Sequence, residues 1–316
     1  MVILGPTATG KTDLAIKLAK KFNGELVACD SRQVYRGLDV GTGKFPRGEK
    51  WEVRRGRDFW EIGEIRVWGY DIADPMLQYS VADYVKYTDG VIKEITDREK
   101  LPIIVGGTGL YLKALLEGLP NLSIPVNQKL RGELEKLTLL ELQNKLKVLS
   151  PAKWKKLNGS DRQNPRRLLR AIEIVIMNPY MQIRQKSKGE RQNYDVLKIG
   201  LTAPREILYK NADLRVLDWI DHGIIEEAKN LRKNDLTLKR MKQLGLEYGA
   251  LADYLSGEIR EIKGEKGLIK KMQNKIHGYI RRQQTWFKRE KGVNWFDILS
   301  KHYINNVEML LKSWYY

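Results

Sequence analysis

The sequence predicts an α/β fold: a parallel-sheet core with an all-helical block inserted into it. Three observations carry this. Short apolar runs at 1–4 (MVIL), 25–30 (ELVACD), 101–105 (LPIIV) and 195–202 (DVLKIGLT) alternate with stretches of helical periodicity, as βαβ units do. Two of the runs pass through glycine-rich turns, at 5–12 and 106–109, into helices. Strand character then disappears between 127 and 177, where QKLRGELEKL, LLELQNKLKVL, PAKWKKL and RRLLRAIEIVI all read as helix. The core is therefore expected at 1–121 and 197–316, its C-terminal part mostly helical, with the inserted helical domain at 122–196.

In chain order, the first run leads into Gly5-Pro6-Thr7-Ala8-Thr9-Gly10-Lys11-Thr12 and then the helical LAIKLAKKF. Strand, glycine-rich loop and helix together are the context a P-loop requires. Its glycines let backbone N–H groups turn toward a phosphate, and the helix presents its positive end to the same point. Lys11 can reach a terminal phosphate and the Thr12 hydroxyl can hold Mg²⁺. The chain is thus expected to bind a di- or triphosphate, without the loop saying what carries it.

The second run ends in Asp30-Ser31-Arg32-Gln33. Strand C-termini line the ligand crevice of a parallel sheet, so Asp30 and Gln33 belong beside the phosphate loop. Asp30 reads either as a helix cap or Mg²⁺ neighbour, or as a general base. Residues 37–44 form a glycine-rich loop, and the aromatic, β-branched stretch 51–72 reads as a hairpin or small sheet extension. A helix is expected over 79–95, capped by Ser80 with Asp83 at its third position. After the strand at 101–105, Gly106-Gly107-Thr108-Gly109 opens LYLKALLEGL. Thr108 either faces the crevice or sits in a tight packing turn. PNLSIP (120–125) and the polar stretch 178–195 link the insert to the core. A long helical region over 205–231 should break near Gly223, 239–255 follows, 266–291 is a basic helix, and 298–312 packs as the last helix.

The chain has 316 residues, 42% of them hydrophobic, enough for a large buried core. Its single cysteine, Cys29, excludes a disulfide framework and fits a cytoplasmic setting. The three widely spaced histidines argue against a histidine metal centre. No apolar run reaches the ~18 residues of a membrane span, and no signal-peptide pattern opens the chain. The net charge of +18 is segregated. Residues 122–197 carry 16 basic and 7 acidic side chains, 266–291 carry 9 and 1, and 1–121 carry 18 and 17. Two basic blocks on a P-loop protein point to a polyanion larger than a nucleotide. Trp286 and Tyr279, interleaved with the cations of 266–291, suit a phosphate-tracking face with stacking rings.

Together the motifs resemble the bacterial tRNA dimethylallyltransferases, the isopentenyl-diphosphate:tRNA transferase family. The matching stretches are GPTATGKT (5–12), DSRQVYRGLDVGTGK (30–44), YDIADP (70–75), YSVADY (79–84), PIIVGGTGLYLKALLEGL (102–119), RRLLRAIEI (166–174), QLGLEY (243–248) and RRQQTWFKR (281–289). The resemblance implies a P-loop kinase-like core whose inserted helical domain grips an anticodon stem-loop. It implies transfer of a dimethylallyl group from dimethylallyl diphosphate to N6 of adenosine 37, 3′ of the anticodon, in loops of the A36-A37-A38 type. Asp30 matches the general base, Gln33 a contact to the flipped adenine, and Gly5 through Thr12 the diphosphate cradle with Mg²⁺ at Thr12. Thr108 matches a threonine near the reacting centre and Arg215 an arginine holding the leaving group. Ser31, Arg32, Arg131, Arg166, Arg167, Arg170, Lys242, Gln243, Gly245, Arg281, Arg282, Gln283, Trp286 and Lys288 match tRNA-contacting positions. A monomer is expected.

The chain departs from the family pattern in several places. Trp68-Gly69-Tyr70 stands where a His-His pair is usual, 48–68 is longer, Asn211 replaces an arginine and Gly43 an alanine. Two further enzyme readings share the P-loop: an adenylate isopentenyltransferase and a kinase of a small acceptor. Neither explains the basic blocks, and a non-catalytic RNA-binding module does not explain the intact Lys11, Thr12 and Asp30.

Overall fold

The computed structural model describes residues 1–45, 51–122, 124–177 and 194–316. Most of the return linker at 178–195, and residues 48–50 of the extended segment, lie outside them. The chain divides into two compact units, 1–115 with 194–316, and 116–193, whereas the sequence placed the breaks at 121/122 and 196/197.

The chain opens with Val2–Leu4 (β1), Lys11–Lys21 (α1), Gly24–Ala28 (β2), Val53–Arg55 (β3), Phe59–Ile62 (β4), Ile65–Trp68 (β5), Val81–Asp97 (α2), Leu101–Gly106 (β6) and Gly109–Glu117 (α3). Gln128–Leu134 (α4), Leu139–Leu149 (α5), Pro151–Lys156 (α6), Gly159–Arg162 (α7) and Pro165–Met177 (α8) make up the insert. Lys198–Thr202 (β7), Arg205–Asp221 (α9), Ile224–Lys233 (α10), Leu238–Leu244 (α11), Leu246–Leu255 (α12), Leu268–Phe287 (α13), Val293–Asp297 (β8) and Tyr303–Tyr315 (α14) complete the larger unit.

Its eight-stranded sheet runs β3-β4-β5-β2-β6-β1-β7-β8. Every pairing from β5 to β8 is parallel, while β3, β4 and β5 pair antiparallel. Every residue of β1 and β2 is buried, because helices cover both faces of a parallel sheet. Even Glu25 on β2 is buried, and Trp68 Nε1, Arg98 and Lys100 surround its carboxylate. The order β2-β6-β1 sets the C-terminal ends of three strands side by side. The segments leaving those ends carry Asp30, Thr108 and the phosphate loop. A crevice at such strand ends is where parallel α/β sheets bind ligands.

Local chemistry accounts for the boundaries. Ser80 and Asp83 form a reciprocal capping box that starts α2. Gly223, at φ +83°, separates α9 from α10 in the left-handed conformation that glycine tolerates best. The stretch 51–72 does supply three strands, extending one edge of the sheet. β8 was not legible: it pairs on one side only and its burial shows no alternation. The last helix consequently starts at Tyr303 and not at 298.

In the smaller unit, Leu134, Leu142, Leu146, Leu168 and Ile172 pack into a core of their own. Beside them lies a fully buried carboxylate, Glu173. Arg131 binds it through Nε and Nη2 at 3.0 and 2.9 Å, Arg170 Nη1 at 2.5 Å, and the Asn127 N–H at 2.7 Å. Arg170 also donates to the carbonyls of Asn121 and Ile124. Arg131 and Arg170, expected at the tRNA, also hold the insert together through this carboxylate. Burial alone would raise the Glu173 pKa, but its arginine and N–H partners hold it below the usual carboxylate value. Glu173→Gln should therefore destabilise the protein by about 3–5 kcal/mol in urea unfolding, since it leaves buried guanidinium charge uncompensated. The loss should be full at neutral pH and vanish as pH falls through the lowered pKa of Glu173. A cost under about 1 kcal/mol would reduce the triad to a surface-type ion pair.

Candidate active site

The phosphate loop is shaped by contact with the neighbouring strand. Gly5 takes φ +140°, and an added Cβ would lie 2.3 Å from the Leu201 carbonyl oxygen of β7. Ala8 (φ 69°) and Gly10 (φ 76°) both take left-handed backbone, which curls the loop into the start of α1. The Thr9 hydroxyl donates to the Pro6 carbonyl at 2.9 Å. Lys11 Nζ lies 2.5 Å from that carbonyl and 3.5 Å from Thr9 Oγ1. Burial, with Arg215 adding repulsion and Asp30 opposing it, lowers the Lys11 pKa to about 7. A lysine so poised gains its full charge when an anion arrives.

Arg215 of α9 reaches over this loop, with Nη1 on Thr7 Oγ1 at 3.2 Å, Nη2 on the Thr42 carbonyl at 3.4 Å, and its guanidinium over the Trp219 ring. The same Thr42 carbonyl accepts from Gln33 Nε2 at 3.2 Å. Asp30 accepts the Arg32 N–H at 2.9 Å, and the Thr108 hydroxyl accepts the Ser31 N–H at 3.1 Å. Thr7, Lys11, Thr12, Asp30, Gln33 and Arg215 all line one cleft. Tyr70, also at that cleft, is buried and meets Trp60 edge-on.

The GGTG turn is a tight packing turn. Thr108 faces the Asp30 segment, while the glycines make room for close packing. A Cβ on Gly106 would strike the Cys29 carbonyl at 2.1 Å, one on Gly107 the Gln283 amide at 2.3 Å, and one on Gly109 the Trp286 ring at 2.2 Å. Gln283 is itself buried: its Oε1 accepts the Thr7 N–H at 2.8 Å and its Nε2 donates to the Gly107 carbonyl at 2.9 Å. With a bond at each end of its amide, Gln283 braces the phosphate loop against the Thr108 turn, at the wall of the cleft.

The other expected tRNA positions lie elsewhere on their own units. Arg281, Arg282, Trp286 and Lys288 are exposed along α13. Arg281 meets the Tyr209 hydroxyl, and Arg282 lies over the Tyr279 ring. Lys242 is exposed but ion-paired with Asp253 and Glu258, Gln243 accepts from Arg240, and Gly245 divides α11 from α12. Arg166 and Arg167 are exposed on the insert, Arg167 paired with Asp161. Arg32 turns inward, bidentate to Glu247 at 3.1 Å. Tyr279, expected as an exposed stacking ring, instead lines the cleft beneath Arg32. Tyr70, noted in the sequence only against the family pattern, and Glu247, given no role there, also line the cleft. QLGLEY does contain Glu247, but only its pairing with Arg32, 215 residues away, gives it a task.

No cluster of three His, Cys, Asp or Glu side chains suited to a metal occurs among the described residues. The Thr12 hydroxyl and Asp30 carboxylate at the cleft are oxygen donors. So sparse a set fits Mg²⁺, which keeps waters and binds largely through substrate phosphates.

The IPP transferase family profile matches residues 33–290, and an isopentenyl transferase profile matches 1–59. The chain belongs to the IPP transferase family. The tRNA dimethylallyltransferase of Halothermothrix orenii is 37% identical over 311 residues, covering 96% of this chain and 88% of that protein. The tRNA dimethylallyltransferase 2 of Treponema denticola is 38% identical over 300 residues, covering 93% and 94%. The crystal structure of the tRNA isopentenylpyrophosphate transferase of Bacillus halodurans superposes with a TM-score of 0.67 at 31% identity, covering 99% of this chain and 95% of that one.

Within the IPP transferase frame, the departures have local accounts. Trp68 is buried and donates to Glu25, Asn211 Nδ2 donates to the Ala8 carbonyl at 3.3 Å, and a Cβ on Gly43 would fall 1.8 Å from Arg215 Nη2. The lysine in the phosphate loop sets a pH limit. If only the ammonium form of Lys11 captures a diphosphate, kcat/KM for the diphosphate substrate should be flat below pH 7 and fall about tenfold per unit well above it. Initial rates across pH 6–9 check this, and a profile flat through pH 9 would contradict it.

Proposed function

We propose that this chain transfers a dimethylallyl group from dimethylallyl diphosphate to N6 of adenosine 37 in tRNA, giving N6-(dimethylallyl)adenosine and diphosphate. One observation carries the reading: in a family whose relatives are named tRNA dimethylallyltransferases, a phosphate loop, an arginine and a carboxylate meet in one cleft. The exocyclic amine of adenine is a weak nucleophile, its lone pair being delocalised into the ring. The allylic C–O bond is the weak point of the other substrate. As that bond breaks, negative charge grows on the leaving diphosphate, where Lys11, the start of α1 and Arg215 can meet it. Mg²⁺ at Thr12 would add further neutralisation of that charge. N6 forms the new bond to carbon and gives up a proton, which Asp30 is placed to accept.

The acceptor must leave its stack to reach such a cleft, which is cheap for a loop base. The amide of Gln33 can then pair with an adenine edge. The Thr108 hydroxyl, held by the Ser31 N–H, orders the segment that carries Asp30. Arg166, Arg167, Lys242, Gln243, Arg281, Arg282, Trp286 and Lys288 are the groups we assign to the RNA, by phosphate contact and stacking. Buried Cys29 fits a cytoplasmic enzyme, and no helix among the described residues is long and apolar enough to cross a membrane.

The test is direct. Wild-type protein with dimethylallyl diphosphate, Mg²⁺ and an anticodon stem-loop should add the mass of one dimethylallyl group to the RNA. Asp30→Ala should slow the transfer by about 10²–10⁴-fold. No mass gain with the wild type would overturn the assignment. Arg215→Ala should lower kcat by roughly 10²-fold in the same assay, the scale of one lost transition-state donor; an unchanged kcat would remove Arg215 from the leaving-group site.

A further inference from the structure

The loop that carries Thr42 holds two groups of the cleft at once, since its carbonyl accepts from both Gln33 and Arg215. That loop turns on its own bonds, with the Gly43 N–H on the Val40 carbonyl at 3.0 Å, the Lys44 N–H on the Asp39 carbonyl at 3.2 Å and the Thr42 hydroxyl on the Leu38 carbonyl, and one side chain from another helix gathers the peptide N–H groups those bonds leave over. Glu227, in the first turns of α10, accepts the backbone N–H of Asp39 at 2.8 Å and of Val40 at 2.7 Å through Oε2. Its Oε1 accepts the N–H of Gly41 at 3.3 Å and the Tyr248 hydroxyl at 2.7 Å. Gly41 leaves room for that tyrosine, because a Cβ there would fall 2.8 Å from the hydroxyl oxygen. Four donors thus converge on one carboxylate, and hydrogen bonds to an ionised acceptor are about twice as strong as neutral ones.

We propose that Glu227 is a positioning residue for the transfer reaction: it fixes the 39–42 backbone so that the Thr42 carbonyl aims Gln33 and Arg215 into the cleft. Glu227 does not line the cleft. It acts through two other residues, one assigned to the adenine and one to the leaving diphosphate. The loop is also tied by Lys44 to Asp39 and by Arg55 to Asp39. Those pairs hold the Asp39 side chain and the loop's own bonds hold its carbonyls, whereas Glu227 holds the N–H groups of residues 39–41. The inference rests on the transferase reading for its kinetic test, but not for its structural one.

The experiment combines amide hydrogen exchange with a double-mutant cycle. In Glu227→Gln, without substrates, the amides of 39–41 should exchange at least about tenfold faster, as expected when charge-assisted bonds are lost. In transfer assays, Glu227→Gln should lower kcat/KM for the stem-loop by roughly 10–100-fold. Gln33→Ala should then cost at least about threefold less in the Glu227→Gln background than in the wild type, because residues that act through one another do not add. Should Glu227→Gln fail to fold, Tyr248→Phe removes one donor and keeps the carboxylate, and should shift both readouts the same way by about 3–10-fold. Unchanged protection at 39–41, or costs that simply multiply, would overturn the proposal. If the wild type transfers nothing, the transferase reading fails, and unchanged or lost exchange protection still decides whether Glu227 holds the loop.

Discussion

A lysine ammonium folded into a phosphate loop is the constraint on which the rest of the larger unit depends. Lys11 is lowered to a pKa near 7 by burial, and its nitrogen rests against the Pro6 carbonyl and the Thr9 hydroxyl. Desolvating a cation in this way is costly unless an anion completes the site. The fold therefore has to hold the loop rigidly in a shape that favours the anion. Three devices do so: the close approach of Gly5 to β7, the brace of Gln283 from α13, and the reach of Arg215 from α9. Each comes from the far end of the chain, so the C-terminal helices are part of the phosphate site.

The same economy of space explains the glycines around the cleft. Gly106, Gly107 and Gly109 are needed less for backbone freedom than because Cys29, Gln283 and Trp286 occupy the positions a Cβ would take. The turn is tight because α13 lies against it. That tightness puts the Thr108 hydroxyl against the Ser31 N–H, and so couples two parallel strand ends at the base of the cleft. Parallel order thus becomes chemistry: β2, β6 and β1 end together, the loops after β2 and β1 supply the carboxylate and the anion cradle, and the turn after β6 steadies the first of them through Thr108.

Much of this was legible in the sequence, for a physical reason. The phosphate loop, Asp30, the capping box of α2 and the break at Gly223 are local patterns, decided by residues within a turn of one another. What remained hidden depends on partners remote in sequence. Arg131 and Arg170 read as RNA-binding cations because nothing nearby reveals that Glu173 is buried between them. Gln283 was matched only to a tRNA-contacting position, and its brace between Thr7 and Gly107 shows only in the fold. Tyr279, Glu247 and Glu227 gain their roles only from contacts to Arg32 and to the 39–41 backbone. β8 carries almost no pattern, because an exposed edge strand paired on one side has no buried face to impose one. The segregated basic charge pointed to a polyanion, but not to which cations would meet it.

On the proposed reading, this P-loop holds an allylic diphosphate where other P-loop proteins hold a nucleotide. Equilibrium competition tests it most directly, with a non-reactive thio analogue of dimethylallyl diphosphate bound in the presence of Mg²⁺ and ATP titrated against it. One analogue should bind per chain, and ATP should fail to displace it at concentrations far above that of the analogue. Displacement by ATP at a lower concentration than dimethylallyl diphosphate itself requires would contradict the claim and make the chain a nucleotide-binding enzyme instead.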